Sequence, residues 1–127
     1  MNLVILSGRL VRDPEIRYTK QNTAVARFVI ATNEGKDKDG NEISEFVRCT
    51  AFKKTAEFID RFFLKGSPII VTGRWHTNTW EKDGEKHYDT EVQVRTADFQ
   101  LGKPVNARDI ETGSDFSEVD DDGALPF

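Results

Sequence analysis

Apolar and polar residues alternate along most of the first hundred positions, a pattern typical of β-strands with one buried face. The alternation predicts five strands, over residues 3–12, 24–32, 43–52, 68–81 and 85–101. The segment Lys82-Asp83-Gly84 has the composition of a hairpin turn, so the last two strands are predicted to form one long hairpin. The polar, glycine-containing residues 33–41 predict a mobile loop between the second and third strands.

One segment, between the third and fourth predicted strands, has helical periodicity instead. Thr55 is a candidate N-cap, and Gly66 followed by Pro68 ends the segment. Its apolar stripe consists of Phe58, Ile59, Phe62 and Phe63. The order β-β-β-α-β-β predicts an all-β fold with one helix, namely a five-stranded Greek-key barrel of the OB class with an extended final hairpin.

The third predicted strand has the most informative pattern of faces. Val47, Cys49 and Ala51 are small and apolar, as a barrel interior requires, so Phe46, Arg48, Thr50 and Phe52 are predicted to face outward. The hairpin repeats this arrangement, with Arg74, His76, Asn78 and Trp80 on one face. Aromatic rings interleaved with basic groups suit unpaired nucleic acid, because bases stack on the rings and phosphates bind the cations.

This pattern makes Phe46, Arg48, Phe52, Arg74 and Trp80 candidates for binding an unpaired strand of nucleic acid. The basic residues Lys53 and Lys54, which follow Phe52, are added to the set. Exposed aromatics on a strand also pack under loops or in subunit interfaces, and that alternative stays open. Trp75 has the opposite strand parity to Trp80 and is assigned to the core or to an interface, while Tyr88, Val92 and Val94 are assigned to packing.

Charge is distributed unevenly along the chain. The 127 residues contain 18 Lys and Arg against 22 Asp and Glu, a formal charge of −4. Residues 1–102 have a net charge of +1 and residues 103–127 a net charge of −5. The second segment also lacks hydrophobic periodicity, which predicts a binding and oligomerisation domain over 1–102 and a disordered acidic tail over 103–127.

Several other classes of protein find no support in the sequence. A lone cysteine, Cys49, forms no internal disulfide, which favours a reducing compartment. No apolar run approaches the ~20 residues of a membrane span, and no secretion signal is visible, so a cytoplasmic, nucleoid-associated protein without membrane contact is predicted. Two histidines and one cysteine give no zinc spacing, and no phosphate-binding loop is present. We therefore expect no metal, no cofactor and no enzymatic activity.

Seven short stretches of the chain are distinctive when taken together: VILSGRL (4–10), DPEIRY (13–18), AVARF (24–28), EFVRCTAF (45–52), KGS (65–67), VTGR (71–74) and YDTEV (88–92). Through these stretches, residues 2–102 resemble a bacterial-type single-stranded DNA-binding protein (SSB). The resemblance implies an OB-fold homotetramer that binds single-stranded DNA in replication, recombination and repair, with stacking at Phe46, Phe52 and Trp80. Where some members have a stacking Trp after the second strand, this chain has Lys36, which binds phosphate but does not stack.

The end of the chain resembles the acidic tip of the same family. A partner pocket holding the Phe127 ring would place basic residues near the terminal carboxylate. The predicted docking residues are Asp120, Asp121, Asp122, Leu125, Pro126 and Phe127. About 25 flexible residues span roughly 25–30 Å, so the tail is also expected to compete with DNA for groove cations.

Two alternative functions remain at this stage. An RNA-binding or primosomal barrel would share the fold and the aromatic face. An enzyme acting on DNA ends would need a metal site, and the only acidic run, Asp120–Asp122, lies in the tail. The sequence does not distinguish a chromosomal protein from a phage, plasmid or competence paralog.

Overall fold

The computed structural model describes residues 1–100 and contains six strands and one helix. The elements are β1 (Val4–Leu10), β2 (Glu15–Tyr18), β3 (Ala24–Lys36), β4 (Glu42–Phe52), α1 (Lys53–Phe62), β5 (Pro68–Lys82) and β6 (Glu85–Phe99). The five predicted strands and the helix between the third and fourth of them are all present. The structure adds the four-residue strand β2, whose residue Ile16 packs against the core. The predicted fold class is confirmed.

The strands close into a ring. Their order is β1-β5-β6-β4-β3-β2, and an additional pairing of β1 with β3 closes the sheet on itself. The β4–β6 contact is parallel and the other pairings are antiparallel. This is the closed arrangement of the OB barrel, and it sets β3, β4 and β6 side by side.

The barrel core continues into an aromatic cluster that covers one end. Inward residues of the strands, among them Ala26, Ile30 and Val71, are fully buried. Helix α1 packs onto this core through Ala56 and Ile59, both with no exposed area. Next to them, four phenylalanine rings meet with centroid separations between 5.1 and 5.9 Å: Phe58, Phe62, Phe63 and Phe99. The predicted apolar stripe is thus the surface that closes the barrel.

The start of α1 differs from the prediction. Thr55 is not the N-cap, because the helix begins at Lys53 and Phe52 occupies the capping position without a side-chain cap. The Thr55 hydroxyl instead donates a hydrogen bond to the carbonyl of Arg95 on β6, at 3.2 Å. The Thr55 hydroxyl, which the local sequence predicted to cap the helix, therefore bonds a distant strand instead.

The loop predicted over residues 33–41 is shorter in the structure. Strand β3 continues to Lys36, which pairs with Glu42, and the register shifts between Asn33 and Lys36. The remaining turn is organised by Asp37, whose carboxylate accepts backbone N–H bonds from Asn41 and Asp39 at 2.9 Å. These bonds, that from Asn41 foremost, hold the pKa of Asp37 below its usual value.

The long hairpin forms as predicted, since β5 and β6 pair from Ile69 and Phe99 out to Lys82 and Glu85. Its two turn residues, Asp83 and Gly84, have φ angles of 54° and 80°. Two successive positive φ values match the twist of the flanking strands, which explains the Asp-Gly pair at this position. Within residues 1–100, no helix is long and apolar enough to cross a bilayer.

Candidate nucleic-acid interface

Strand β4 presents the alternation that its sequence predicts. Cys49 and Ala51 are buried at 1% and 0% exposure, whereas Phe46 and Phe52 are 66% and 41% exposed on the opposite face. Thr50 departs from the pattern, since it shares the outward face and is nevertheless buried. Its hydroxyl donates a hydrogen bond to the carboxylate of Glu91 on β6, the neighbouring strand.

An open groove of about 650 Å³ crosses the outer face of β3, β4 and β6. Phe52 contributes an aromatic wall, and Val25 and Val29 contribute apolar surface. The polar and charged lining consists of Arg12, Glu15, Arg27, Arg48, Thr50, Asn78, Asp89, Glu91 and Gln93. Its three arginines are matched by three carboxylates, so the groove is close to electrically neutral.

The polar groups of the groove bond to one another. Arg48 forms an ion pair with Asp89. Besides the bond from Thr50, the Glu91 carboxylate accepts one from the Asn78 amide at 3.1 Å. Near this network, the Arg74 guanidinium donates to the side-chain carbonyl of Gln93 at 2.7 Å, and Arg74 is only partly exposed. The two predicted arginines are therefore held by neighbouring side chains.

Trp80 lies on the hairpin, on the same strand face as Asn78. It is 45% exposed and stacks against His87, its partner across the hairpin, with ring centroids 5.5 Å apart and planes 22° from parallel. His87 thus supports one face of the indole and leaves part of the ring accessible to a base.

Two groove arginines escaped the sequence-based set. Arg27 pairs with Thr50 across β3 and β4, and Arg12 follows the end of β1. A signal existed for Arg27, because it shares the outward face of residues 24–32 with Val25 and Val29. No comparable local signal existed for Arg12, which lies in the connection between β1 and β2.

The candidate lysines lie away from the lining of the groove. Lys36 is the exposed last residue of β3. Lys54 lines a separate cavity of about 370 Å³ with Phe58 and Arg95. Lys53 is exposed and adopts a positive φ of 58° where β4 turns into the helix. The structure therefore groups Arg48, Phe52 and Asn78 but does not bring these lysines to them.

Trp75 and Tyr88 are 49% and 66% exposed, so neither packs in the core of this chain, whereas the core positions of Val92 and Val94 are confirmed. The prediction that Trp75 lies in a subunit interface stays a prediction. The hairpin extends beyond the barrel, so within residues 1–100 no other strand pairs with its outer half. The backbone of Trp75 is anchored by Asn2, whose amide both donates to and accepts from it at 2.8 Å.

Cys49 lies beneath the groove and is not a reactive thiol. Burial, with a smaller contribution from the Glu91 charge, raises its pKa to about 12. Because the thiolate is the nucleophile and metal-binding form, Cys49 stays neutral at physiological pH. In the part of the chain that the structure describes, no three His, Cys, Asp or Glu side chains converge on a possible metal position.

Comparison with known proteins assigns the family. The model of the single-strand binding protein family (SSB) matches residues 1–100, which is the whole barrel with its groove. The chain belongs to this family. The resemblance inferred from the motifs is confirmed, and family membership supports the expectation of a non-enzymatic protein.

Similar curated proteins carry the same kind of name. Single-stranded DNA-binding protein 3 of Listeria innocua is 37% identical over 121 residues, which cover 94% of this chain and 76% of that protein. A single-stranded DNA-binding protein of Clostridium perfringens is 43% identical over 101 residues, 78% of this chain and 65% of that protein. One from Staphylococcus epidermidis is 35% identical over 107 residues, covering 84% and 81% respectively. Against these proteins the chain therefore spans about two thirds to four fifths of the relative's length.

The predicted docking residues lie outside the described residues. These are Asp120, Asp121, Asp122, Leu125, Pro126 and Phe127, together with the rest of the acidic tail predicted over 103–127.

Proposed function

We propose that this chain binds and protects single-stranded DNA, without strong sequence preference, during replication, recombination and repair. The observation that supports this most directly is the exposure of Phe46 and Phe52 on the strand that also positions Arg48. Trp80 adds a third ring on the adjacent hairpin. Family membership and the names of the relatives support the same function.

The chemistry of these residues favours an unpaired strand. Base–aromatic stacking contributes roughly 1–3 kcal/mol per base and tolerates any sequence, since every base has a π-face. In a duplex those faces are covered by neighbouring base pairs. Since the groove is nearly neutral, bulk attraction for phosphate is weak, and stacking must supply most of the affinity.

Tryptophan fluorescence tests this function. Titration with dT oligonucleotides is expected to quench Trp80 emission, because a base stacks on its accessible face. Poly-dT, poly-U and duplex DNA serve as competitors, and we expect poly-dT to compete more strongly than either of the others. Equal competition by poly-U would favour an RNA-binding barrel, and unchanged emission with no binding by anisotropy would exclude the function.

We also propose that the chain assembles as a homotetramer, with DNA contacting several barrels. Strand β1 supports self-association, because among the described residues it pairs with β3 only at Arg9 and Leu10. Within residues 1–100 the rest of that edge has no partner strand, and Leu3 and Ile5, at the start of β1, are 58% and 64% exposed. An open edge with apolar side chains is a template for pairing with a second copy. Several modest grooves on one strand would then bind tightly by avidity.

Light scattering measures the assembly directly. The expected mass is about 58 kDa, four times the 14.4 kDa of one chain. A mass of one chain at micromolar concentration would contradict the tetramer and the avidity argument, while leaving binding by a single barrel intact.

The protein is proposed to be cytoplasmic and nucleoid-associated. Its acidic tip is proposed to recruit replication, recombination and repair proteins. Support comes from the sequence, where Asp120–Asp122 precede an apolar end at Phe127. Deleting residues 118–127 is expected to abolish capture of such partners and to strengthen DNA binding modestly at low salt. As a matched control, substituting Asp120–Asp122 with Asn keeps the length. Unchanged capture and affinity in both variants would exclude a docking role.

A further inference from the structure

We propose that Asp89 determines how strongly, and with what salt dependence, the groove binds DNA, by holding Arg48 in an ion pair that an incoming phosphate must displace. This inference rests on the proposed function, because it concerns the same groove. Asp89 is an acidic residue in the lining of a groove that would be expected to be basic if it binds DNA.

The pair is built by two strands that approach each other beside the groove. Parallel pairing joins Cys49–Ala51 of β4 to Val92–Val94 of β6. Arg48 immediately precedes the paired part of β4, and Asp89 lies three residues before the paired part of β6. Their side chains meet above the groove floor and form the ion pair.

The two partners differ in accessibility. The Arg48 side chain is 60% exposed and that of Asp89 is 31% exposed. Arg48 is therefore the partner that reaches solvent and an approaching phosphate, while Asp89 stays partly covered on β6. The other carboxylates have different partners: Glu91 accepts bonds from Thr50 and Asn78, and Glu15 pairs with Arg17 at 2.7 Å.

Binding of DNA at Arg48 is thus an exchange of anions. The phosphate replaces the Asp89 carboxylate, and Asp89 loses its partner. A single-stranded contact normally releases about 0.7 of a counterion, which gives its salt dependence. Here the released carboxylate takes up a cation from solution and offsets that release. The Arg48 contact consequently adds affinity with little dependence on salt.

Asp89→Asn tests the exchange. An exposed ion pair contributes about 0.2–1 kcal/mol, so freeing Arg48 is expected to tighten binding by a factor between about 1.4 and 5 at low salt. The slope of log K against log salt is expected to steepen by up to about 0.7, so that the gain disappears at high salt. The ligand is a dT oligonucleotide of about 12 nucleotides, within the range that one OB barrel covers, and the readout is anisotropy.

Three matched variants separate this role from a structural one. Asp89→Glu keeps the carboxylate and is expected to retain the wild-type slope. Glu57→Gln makes the same change in charge at an exposed residue of helix α1, outside the groove lining, and is expected to alter the slope much less. Asp89→Ser repeats the neutralisation with another side chain, in case the amide variant folds poorly.

A double-mutant cycle then assigns the effect to Arg48. In an Arg48→Gln background, Asp89→Asn is expected to leave affinity and slope almost unchanged. A slope for Asp89→Asn equal to that of wild type, or an equal gain in the Arg48→Gln background, would overturn the inference while the wild-type protein still binds DNA. If the wild-type protein binds no single-stranded DNA, the proposed function itself fails.

Discussion

Replacing Phe46 and Phe52 together with alanine is expected to weaken binding of a short dT oligonucleotide by a factor between about thirty and twenty thousand. Each ring offers a stacking surface worth roughly 1–3 kcal/mol per base, so the pair amounts to roughly 2–6 kcal/mol. The effect is large because the groove is nearly neutral and has little other source of affinity. Both tryptophans remain, so quenching of Trp80 still reports whatever binding is left.

The variant should otherwise behave as the parent protein does. Phe46 is 66% and Phe52 41% exposed, so truncating them removes little core packing. A suitable control is Tyr88→Ala, because Tyr88 is as exposed as Phe46 but pairs with Thr79 on the hairpin face opposite Trp80. Its affinity is expected to change less than about twofold, provided light scattering shows the same mass. Equal loss in the control, or none in the double variant, would refute stacking as the main source of affinity.

Local periodicity was sufficient to predict the faces of β4. Strand residues alternate with a period of two, so placing Val47, Cys49 and Ala51 inside places Phe46 and Phe52 outside without knowledge of neighbouring strands. The Asp83-Gly84 turn was predictable for the same reason, since its backbone angles depend on those two residues. Strand faces and turn conformations depend on a few neighbouring residues, so they could be inferred from the sequence.

Features set by pairing between distant segments could not be inferred. Thr50 has outward parity, but Glu91 arrives from β6 and buries it. Trp75 has inward parity, yet the hairpin extends past the barrel and exposes it. The ion pair of Arg48 with Asp89 depends on the parallel register of β4 and β6, for which the sequence contains no local signal. The electrostatics of the groove therefore emerge only from the closed barrel.

That closure depends on two glycines at which the backbones almost touch. A Cβ on Gly8 would lie 2.2 Å from the carbonyl oxygen of Ala31, where β1 meets β3. A Cβ on Gly73 would lie 2.1 Å from the carbonyl oxygen of Gln93, beside the register shift between β5 and β6. Both obstacles are backbone atoms of paired strands, so no side-chain rotation relieves them.

Gly8→Ala and Gly73→Ala are each expected to lower the free energy of unfolding by at least about 3 kcal/mol, because the strands must separate to admit the methyl group. At about 4–8 °C per kcal/mol, Tm should fall by at least about 12 °C in thermal denaturation at matched protein concentration.

Ser7→Ala, an exposed neighbour on β1, is the control for mutating the strand. Gly40→Ala controls for backbone strain, since its φ is 82° with nothing within 4 Å, and about 1–2 kcal/mol is expected. If the Tm of Gly8→Ala lay within about 2 °C of that of the parent protein, β1 and β3 would accommodate a methyl group at this contact, and the steric argument would be wrong. A large loss at Gly8 and Gly73 with little change at Ser7 would show that steric closure of the barrel, rather than side-chain chemistry, holds the groove in shape.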